Sequence, residues 1–245
     1  NYITDDPADC EGYRSGPGGY ESGTGYERIM TRLPGAIVMP RTTEDVQKIV
    51  KICGRYGLPF VPYSTGFYGP RSHPHMDDEL IIDMKRMQHF EWDEKHMYAD
   101  IGPGIVYSSL QQEAFNKGCY GVIGGGGAQC SAIANLLGDG WSPISLKIGL
   151  PHRRILGTEL VLPDGELVKM GSLANCDDPF WGEGPGPDLR CILRGFTGLR
   201  GCLGIVTRMA VKYLPFIQES PKPQGIAPNT SLALDERRIR WINYQ

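Results

Sequence analysis

The chain has 245 residues, enough to bury a hydrophobic core as one large domain or two small ones. A hydrophobic content of 40% and a charged content of 22% are typical of soluble globular proteins. The formal net charge of −3 argues against a nucleic-acid partner, which selects for basic surfaces. No apolar run approaches the roughly 20 residues that a membrane-spanning helix needs, so we expect no membrane span.

Seven cysteines, an odd number, are scattered along the chain without a CxxC pair. Structural zinc and iron–sulfur sites need closely spaced thiolates, so we expect no metal site of either kind. Cys53, within IVKICGRYG, is predicted to be a reduced core residue. This cysteine usage predicts a reducing, cytoplasmic setting. The chain starts with Asn rather than Met, which leaves open a targeting segment before it.

The first 60 residues predict an arm followed by a βαβ arrangement. Residues 1–27 are polar and rich in Gly and Tyr, and we expect an extended arm or loop there. Thr42 and Asp45 have the spacing of a capping box, apolar residues follow at helical spacing, and Gly57 supplies the stop. The predicted elements are a strand at 36–39, a helix between Thr42 and Gly57, and a strand at 60–62.

The remaining sequence predicts more strands than helices, which together with the βαβ arrangement gives an α+β fold class. Pro163-Asp164-Gly165 indicates a hairpin turn. Residues 216–245 begin Pro-rich and end in LALDERRIRWINYQ, which indicates the start of a further element. The predicted strands are 80–83, 89–93, 97–101, 155–162, 166–170 and 204–214, the last ended by Pro215; the predicted helices are one from Val106 to Gly118 and a short one at 189–196.

The loop from Tyr63 to Pro70 combines Ser, Thr, Gly and aromatic residues between two strands. Its hydroxyls and backbone N–H groups can form a concave row of donors that binds phosphate without a Lys. Its glycines permit close backbone approach, and its aromatic rings offer a flat surface to a ring system. We interpret it as a loop that holds the pyrophosphate of a flavin dinucleotide. An ordinary hairpin loop is the alternative that this stretch alone leaves open.

A second special segment runs from Gly121 to Asn135 and contains four consecutive glycines, Gly124 to Gly127. Backbone this bare can pack under a planar ring, and the small-residue helix that follows presents an N-terminus that favours an anion. The segment does not match G-x-G-x-x-G, because Gln129 occupies the last Gly position, and no Walker A sequence is present. Motifs therefore give no support to a nicotinamide or nucleoside-triphosphate site. A flexible surface loop is the alternative.

Taken together, these segments resemble the vanillyl-alcohol-oxidase/p-cresol-methylhydroxylase type flavoproteins. The resemblance extends from about Pro34 to Pro215 of this chain. The resemblance implies a two-lobed FAD-binding domain of the p-cresol-methylhydroxylase type at 28–215, preceded by an arm at 1–27. Residues 216–245 would enter a substrate-covering cap domain that this chain lacks. The matching segments, in the family's order, are PGAIVMPRTTEDVQKIVKICGRYGLP, STGFYGP, LIIDMKRM, IGPGIVYSSLQ, GGGGAQCSAIAN, ILGTELVLPDGELVKMG and GEGPGPDLRCILRGFTGLRGCLGIVTRMAVKYLP.

The resemblance also implies individual site residues: a pyrophosphate loop, a segment against the isoalloxazine and ribityl chain, and a strand whose backbone meets the adenine side. One departure concerns catalysis. Relatives carry an Asp beside flavin N5 in a Tyr-Gly-Asp-His stretch, whereas residues 141–147 here contain no acid, which leaves Asp139 as the candidate base. The implied cofactor-binding residues are Pro40, Tyr63, Ser64, Thr65, Gly66, Phe67, Tyr68, Gly69, Pro70, Gly124, Gly125, Gly126, Gly127, Ala128, Cys130, Ser131, Ala134, Asn135, Gly140, Trp141, Gly204, Ile205 and Val206.

Two polar clusters have a functional and a plainer interpretation. His73 and His75, with the acids at 77–78, could ligate a metal or anchor a flavin, but an exposed polar loop is favoured. The basic cluster of Lys147, His152, Arg153 and Arg154 could meet a carboxylate substrate or an acidic partner, but a solvated loop is favoured.

The function that the resemblance implies is that of the FAD-binding part of an oxidoreductase. An alcohol, 2-hydroxy acid or phenolic substrate would lose a hydride to flavin N5. The alternative is a non-catalytic FAD-binding electron-relay subunit. We expect FAD rather than FMN or NAD, because two separated Gly-rich regions suit an extended dinucleotide, and we expect it to be bound non-covalently. Expected partners are a small-molecule substrate, a C-terminal cap part or partner subunit, an electron-transfer or iron–sulfur protein, and further copies in an oligomer.

Overall fold

The computed structural model describes residues 2–14, 32–66, 74, 76, 78–121, 127–138, 145–178, 190–193, 202–216, 224–226 and 229–231. Two main sheets organise these residues, and a helix joins them. The first sheet defines a small lobe and the second a large lobe. The mixture of a partly parallel sheet, an antiparallel sheet and several short helices confirms the predicted α+β class.

The small lobe is a four-stranded sheet. Its order is β1-β2-β4-β3, with β4 parallel to both β2 and β3 and β1 antiparallel to β2. The predicted βαβ arrangement is present, but β4 lies between its two strands, so they are not neighbours. The strands are β1 (Tyr2–Thr4), β2 (Ala36–Met39), β3 (Phe60–Tyr63) and β4 (Leu80–Asp83).

The amino-terminal residues 2–14 differ from the predicted arm or loop. Strand β1 pairs with β2, and helix α1 (Pro7–Glu11) follows it, with the Asp6 side chain accepting a hydrogen bond from Ala8 N at 2.8 Å. Cys10 is buried in a core cluster that α1 shares with the sheet. An Asp cap before Pro7 is a local helix signal, which the Gly- and Tyr-rich composition of the following residues obscured.

Helix α2 (Thr43–Tyr56) forms as predicted. Thr42 and Asp45 exchange both hydrogen bonds of a capping box, and Gly57 ends the helix with a φ of 63°. The buried face carries Val46, Val50 and Cys53. Burial of Val46 and Val50 contributes about 1.5–3 kcal/mol each to the stability of the fold.

The large lobe is a five-stranded antiparallel sheet of order β5-β6-β10-β8-β9. The predicted strands at 89–93 and 97–101 pair as a hairpin, and the predicted hairpin turn is confirmed, with a φ of 81° at Gly165. Pro215 does not simply end the last strand: it lies in a short strand that pairs with Cys119. The strands are β5 (Phe90–Asp93), β6 (Tyr98–Ile101), β7 (Cys119–Tyr120), β8 (Ile155–Val161), β9 (Leu167–Gly171), β10 (Ile205–Lys212) and β11 (Leu214–Pro215), and β12 (Gln224–Ile226) and β13 (Asn229–Ser231) form a separate hairpin.

Helices and short 3-10 turns cover the large lobe and connect it to the small one. The predicted helix after Val106 is confirmed as α3, and the described part of the predicted helix at 189–196 is α7. The helices are α3 (Tyr107–Asn116), α4 (Ala132–Leu137), α5 (Ser145–Ile148), α6 (Leu173–Cys176) and α7 (Arg190–Leu193), and the 3-10 turns are Met84–Arg86 and Pro151–Arg154.

Helix α2 packs between the two sheets and fixes their relative position. Its residues Val46 and Val50 share one hydrophobic cluster with Ile82 of the small lobe and with Val161 and Ile205 of the large lobe. The Gln47 side chain also donates a hydrogen bond of 2.8 Å to the carbonyl of Gly165 in the β8–β9 turn. The two lobes therefore share a core on this side, and the ends of the small-lobe strands meet the large lobe beside it.

Candidate functional site

The first predicted loop leaves the carboxyl edge of the small-lobe sheet. Pro40, Tyr63 and Asp83 end or follow the parallel strands β2, β3 and β4, so they lie at the same edge. Ligands of sheets with parallel strands bind at this edge. Gly66 has a φ of +66°, and a Cβ atom there would overlap the Tyr63 hydroxyl. The turn therefore requires Gly at position 66, because a residue with a Cβ atom would not fit there.

The second predicted segment lies along the start of α3. The carbonyls of Ala128 and Cys130 accept hydrogen bonds from Ser108 N at 2.8 Å and from Tyr107 N at 3.1 Å. Gly127 has a φ of +113°, a conformation that side chains rarely adopt. These bonds, with a turn bond of 3.3 Å from Cys130 N to the Gly127 carbonyl, hold the end of the Gly-rich segment in a defined turn before α4 begins.

The two segments meet at Thr65 and Ser131. The backbone N–H of Ser131 donates to Thr65 Oγ1 at 3.3 Å, across 66 residues of sequence. The Ser131 hydroxyl, which is buried, donates to the carbonyl of Pro103 at 3.1 Å and caps α4 by accepting from Ala134 N at 3.4 Å. This contact joins the small-lobe loop to the large-lobe segment and defines a candidate cleft between them.

The partly exposed residues of α4 nearest this contact are small or polar. Ala134 is exposed and Asn135 is half-buried, with its Oδ1 atom unpaired. Ala128 is also half-buried, and Thr65 and Ser64 expose part of their hydroxyl-bearing side chains. A planar ring could approach such a surface closely, while the hydroxyls and backbone N–H groups could bind phosphate oxygens. The residues that the structure describes here fit a flavin dinucleotide.

The third predicted segment, Gly204 to Val206, also has a role in the fold that does not depend on a ligand. Gly204 has a φ of +149°, and a Cβ atom there would overlap the carbonyl oxygen of Val161. The side chains of Ile205 and Val206 are 3% and 8% exposed and belong to the hydrophobic cores, so a ligand could meet only their backbone. Ile205 shares its cluster with Val38, two residues before the buried Pro40, so these two predicted adenine-side segments lie near each other.

Several predicted residues lie outside the described part of the chain and stay predictions. They are Phe67, Tyr68, Gly69, Pro70, His73, His75, Gly124, Gly125, Gly126, Asp139, Gly140 and Trp141. Within the described ranges, no three His, Cys, Asp or Glu side chains are grouped so that they could hold a metal ion.

The structure also shows a cluster of polar side chains next to Tyr63, at the base of the loop. The sequence did not indicate this cluster. Tyr13 Oη donates to the fully buried Asp83 carboxylate at 2.5 Å, and Lys85 Nζ lies 3.1 Å from the same carboxylate. The Tyr13 ring packs edge-on against Tyr63 at 4.9 Å between centroids. Burial and Asp83 raise the pKa of Tyr13, which keeps its hydroxyl protonated as a donor. Tyr13 thus supports Tyr63 and, through it, the turn at Gly66.

A covalent flavin bond needs a nucleophile, and Cys130 in the Gly-rich segment is a candidate for it among the residues that the structure describes. It is 7% exposed and packs in the large-lobe core. Burial raises the pKa of its thiol, which favours the protonated and weakly nucleophilic form. Four of the cysteines described, Cys10, Cys53, Cys119 and Cys130, are buried and unpaired, as predicted for Cys53, and Cys202 is exposed.

A second cleft, of about 840 Å³, lies beside the β5–β6 hairpin and contains many acidic side chains. Its central groups are already paired: Arg208 donates to both oxygens of the buried Asp100, at 2.6 Å for the shortest bond, and to Glu159 at 3.3 Å. This network neutralises charges within a sheet, and none of the predicted cofactor residues lies in the cleft.

Comparisons with known proteins identify the fold's family. The family model described as "FAD binding domain" matches residues 34–171, more than half of the chain. The chain belongs to this FAD-binding family. FAD is therefore the cofactor of the domain, and the predicted resemblance to the vanillyl-alcohol-oxidase/p-cresol-methylhydroxylase type is confirmed.

Curated relatives include the glycolate oxidase subunit GlcD of Bacillus subtilis, 28% identical over 75% of this chain, and the mitochondrial D-lactate dehydrogenase [cytochrome] 1 of Saccharomyces cerevisiae, 29% identical over 79% of it. The chain spans only 37% and 31% of the lengths of these two proteins. The solved structure of 4-ethylphenol oxidase from Gulosibacter chungangensis shares the fold, with a TM-score of 0.68, 24% identity and coverage of 87% of this chain and 40% of that one. Among the helices described, none is long and apolar enough to cross a membrane.

Proposed function

We propose that this chain is the FAD-binding part of an oxidoreductase that removes a hydride from the hydroxyl-bearing carbon of a 2-hydroxy acid and transfers it to flavin N5. The observation that carries the proposal is the hydrogen bond between Ser131 and Thr65, because it joins the two segments predicted to hold the dinucleotide. The curated relatives named for glycolate and D-lactate support a 2-hydroxy acid over a phenolic substrate.

The residues of the cleft would divide the work of binding. Ser64, Thr65 and the turn at Gly66 would hold the pyrophosphate, and Ala128, Ser131 and Ala134 would lie against the ring and ribityl chain. FAD would supply the electron acceptor for the hydride. The protein's share would be to hold the substrate carbon against N5 and to keep water from the ring. Asp139 stays the proposed base that takes the hydroxyl proton.

The proposal also includes parts beyond the described residues. A cap part or partner subunit would cover the open side of the ring and bind most of the substrate, and an electron-transfer or iron–sulfur protein or oxygen would accept the electrons. A cytoplasmic location and an oligomeric assembly likewise stay predictions.

The experiment is anaerobic reduction of the FAD-loaded protein. Addition of D-lactate or glycolate should bleach the flavin absorption at about 450 nm, which is a property of the cofactor, whereas 4-ethylphenol should leave it unchanged. A protein that purifies without FAD and does not take it up would overturn the cofactor assignment. A flavin that only a partner protein can reduce would instead favour an electron-relay subunit.

The Thr65–Ser131 contact has its own test, Thr65→Val. Loss of this neutral hydrogen bond should weaken FAD binding by roughly 0.5–1.5 kcal/mol, about 2- to 13-fold in Kd. Thr158→Val is the matched control, since the Thr158 hydroxyl is buried in β8 and has no hydrogen-bond partner in the part of the chain that the structure describes, so its removal should leave the Kd unchanged. Equal FAD affinity in both variants would show that the contact does not shape the site. Isothermal titration of each apo-protein variant with FAD measures the two Kd values.

A further inference from the structure

Several buried donors in the described part of the large lobe have no hydrogen-bond acceptor there, and three of them lie on α3 and in the turn before β8. They are Tyr107 and Gln111 on α3 and Arg154 in the turn before β8, named here the donor cluster. Their residues are 2%, 6% and 7% exposed. The unpaired atoms are Tyr107 Oη, Gln111 Nε2 and Arg154 Nη1. Arg154 was expected in a solvated basic loop; the structure buries it instead.

The donor cluster borders Gly121, where the Gly-rich segment begins, through Gln111 and the neighbouring Tyr213. Gln111 Oε1 accepts a hydrogen bond of 3.3 Å from Gly121 N. The Tyr213 ring occupies the space that a Cβ atom of Gly121 would need. Burial lowers the pKa of the Arg154 guanidinium, and the neighbouring Tyr120, Tyr213 and Tyr107 act in the opposite direction. The donor cluster therefore borders one end of the segment whose other end contacts Thr65.

A buried guanidinium needs a negative partner. Arg stays protonated at any physiological pH, and a charge removed from water is costly unless it is paired. Within the described ranges, no carboxylate forms an ion pair with Arg154. Burial raises the pKa values of Tyr107 and Tyr213, so neither hydroxyl supplies an anion. A buried water could satisfy one or two donors but would bring no charge.

We propose that the donor cluster binds a planar anionic oxygen group beside Gly121, with Arg154 as its principal ligand. This inference rests on the proposed function, and it identifies two sources of that chemistry. One is the carboxylate of the 2-hydroxy acid, for which Arg offers a matching fork of N–H groups. The other is the pyrimidine edge of the flavin, which gains negative charge on reduction.

The position of α3 connects the donor cluster to the cofactor cleft. Tyr107 is the first residue of α3, and its backbone N–H holds the Cys130 carbonyl of the ring-facing segment. Gln111 lies one turn further along the same helix. A ligand held by these side chains would thus be fixed relative to the segment that lies against the flavin.

The test compares Arg154→Met, which keeps the length of the side chain but removes its charge, with Arg154→Lys and with Arg153→Met. Arg153 is the adjacent, exposed residue of the same turn and serves as the control. Two properties of the FAD-loaded protein are measured: the Kd of oxalate, from the change in the flavin spectrum, and the flavin midpoint potential. A third is the unfolding temperature of the apo-protein.

For Arg154→Met we expect an unchanged or higher unfolding temperature, because an unpaired buried charge is replaced by an apolar chain. We also expect a functional loss that Arg154→Lys partly restores. Oxalate affinity reduced tenfold or more, at constant potential, would identify the substrate carboxylate. A more negative potential at constant oxalate affinity would identify the flavin edge. Tyr107→Phe should change the same quantity, either the oxalate Kd or the midpoint potential, by less than Arg154→Met does.

The proposal is overturned if Arg154→Met leaves both quantities at the values of Arg153→Met. It is also overturned if the variant only lowers the unfolding temperature, which would assign Arg154 a structural role. If Arg154→Met fails to fold, Tyr107→Phe and Gln111→Leu decide through the same two measurements. Absence of FAD from the wild-type protein would refute the proposed function, whereas normal FAD binding with unaffected variants would refute this inference alone.

Discussion

At Gly66 the backbone and one side chain together leave no room for a Cβ atom. The left-handed φ of +66° is accessible to Gly at little cost, and the Tyr63 hydroxyl occupies the remaining space. The sequence indicated the role of this Gly from its neighbours, STGFYGP. It could not indicate that Tyr63 is the obstacle, nor that Thr65 meets Ser131, because these contacts depend on how the loop folds back and on residues 66 positions apart.

Gly66→Val should reduce FAD binding more than it reduces stability. The matched control is Gly57→Val, since Gly57 has nearly the same φ, +63°, but open space around it and a position at the end of α2. Both variants should lose about 1–2 kcal/mol of unfolding free energy from backbone strain, and Gly66→Val should lose more because the buried Tyr63 must shift. Only Gly66→Val should also lose FAD, by about tenfold or more in Kd. Urea unfolding and FAD titration separate the two effects. Equal FAD affinity in both variants would refute the loop assignment. We also expect Gly125→Val, at a residue outside the described ranges, to lower FAD binding more than stability.

Cys130 should not carry the flavin covalently. Its thiol is buried and held in the protonated form by a raised pKa, so it lacks the nucleophilic thiolate that bond formation needs. Acid precipitation should leave a colourless pellet and a yellow supernatant, and Cys130→Ser should retain FAD. A pellet that stays yellow, with added mass on a peptide containing Cys130 or His73, would contradict this prediction.

At the scale of elements, the sequence predicted those helices and turns whose signals lie close together along the chain. Helix α2 has its cap, apolar spacing and terminal Gly within 16 residues, and the hairpin turn at Gly165 has its own short motif. The insertion of β4 between β2 and β3 could not be predicted in this way, because it depends on pairing between distant strands. The segment 2–14 was missed for a different reason: its short strand and helix gain most of their stability from packing on the small lobe.

Tyr13→Phe tests how far this amino-terminal segment supports the small lobe. The variant removes a hydrogen bond to the buried Asp83 carboxylate, which should lower the unfolding free energy by about 1.5–3 kcal/mol. Tyr56→Phe, at the exposed end of α2, should change it by less than about 0.5 kcal/mol. Urea unfolding measures both values. Equal stability of the two variants would show that Lys85 alone satisfies Asp83.

At the scale of the molecule, the proposed cofactor cleft lies where two differently built lobes meet. Helix α2 joins the lobes on one side through a shared core, and the Thr65–Ser131 bond joins them at the cleft. The order of matching segments along the chain predicted these two lobes, but not the contacts between them. An extended dinucleotide in this cleft would touch both lobes, with the adenine side near Pro40 and the ring near Ala134.

FAD should therefore stabilise the apo-protein against heat more than riboflavin does. A ligand that binds only the native state at 100 times its Kd adds about 2.7 kcal/mol, which corresponds to roughly 5–10 °C for a chain of this size. Riboflavin lacks the pyrophosphate and adenine, so it would contact only the large-lobe side and should bind too weakly for a comparable shift at the same concentration. FMN should be intermediate. Scanning calorimetry of the apo-protein with each ligand gives the order. Equal protection by riboflavin and FAD would mean that the small lobe, and with it the loop at Thr65, contributes nothing to holding the cofactor.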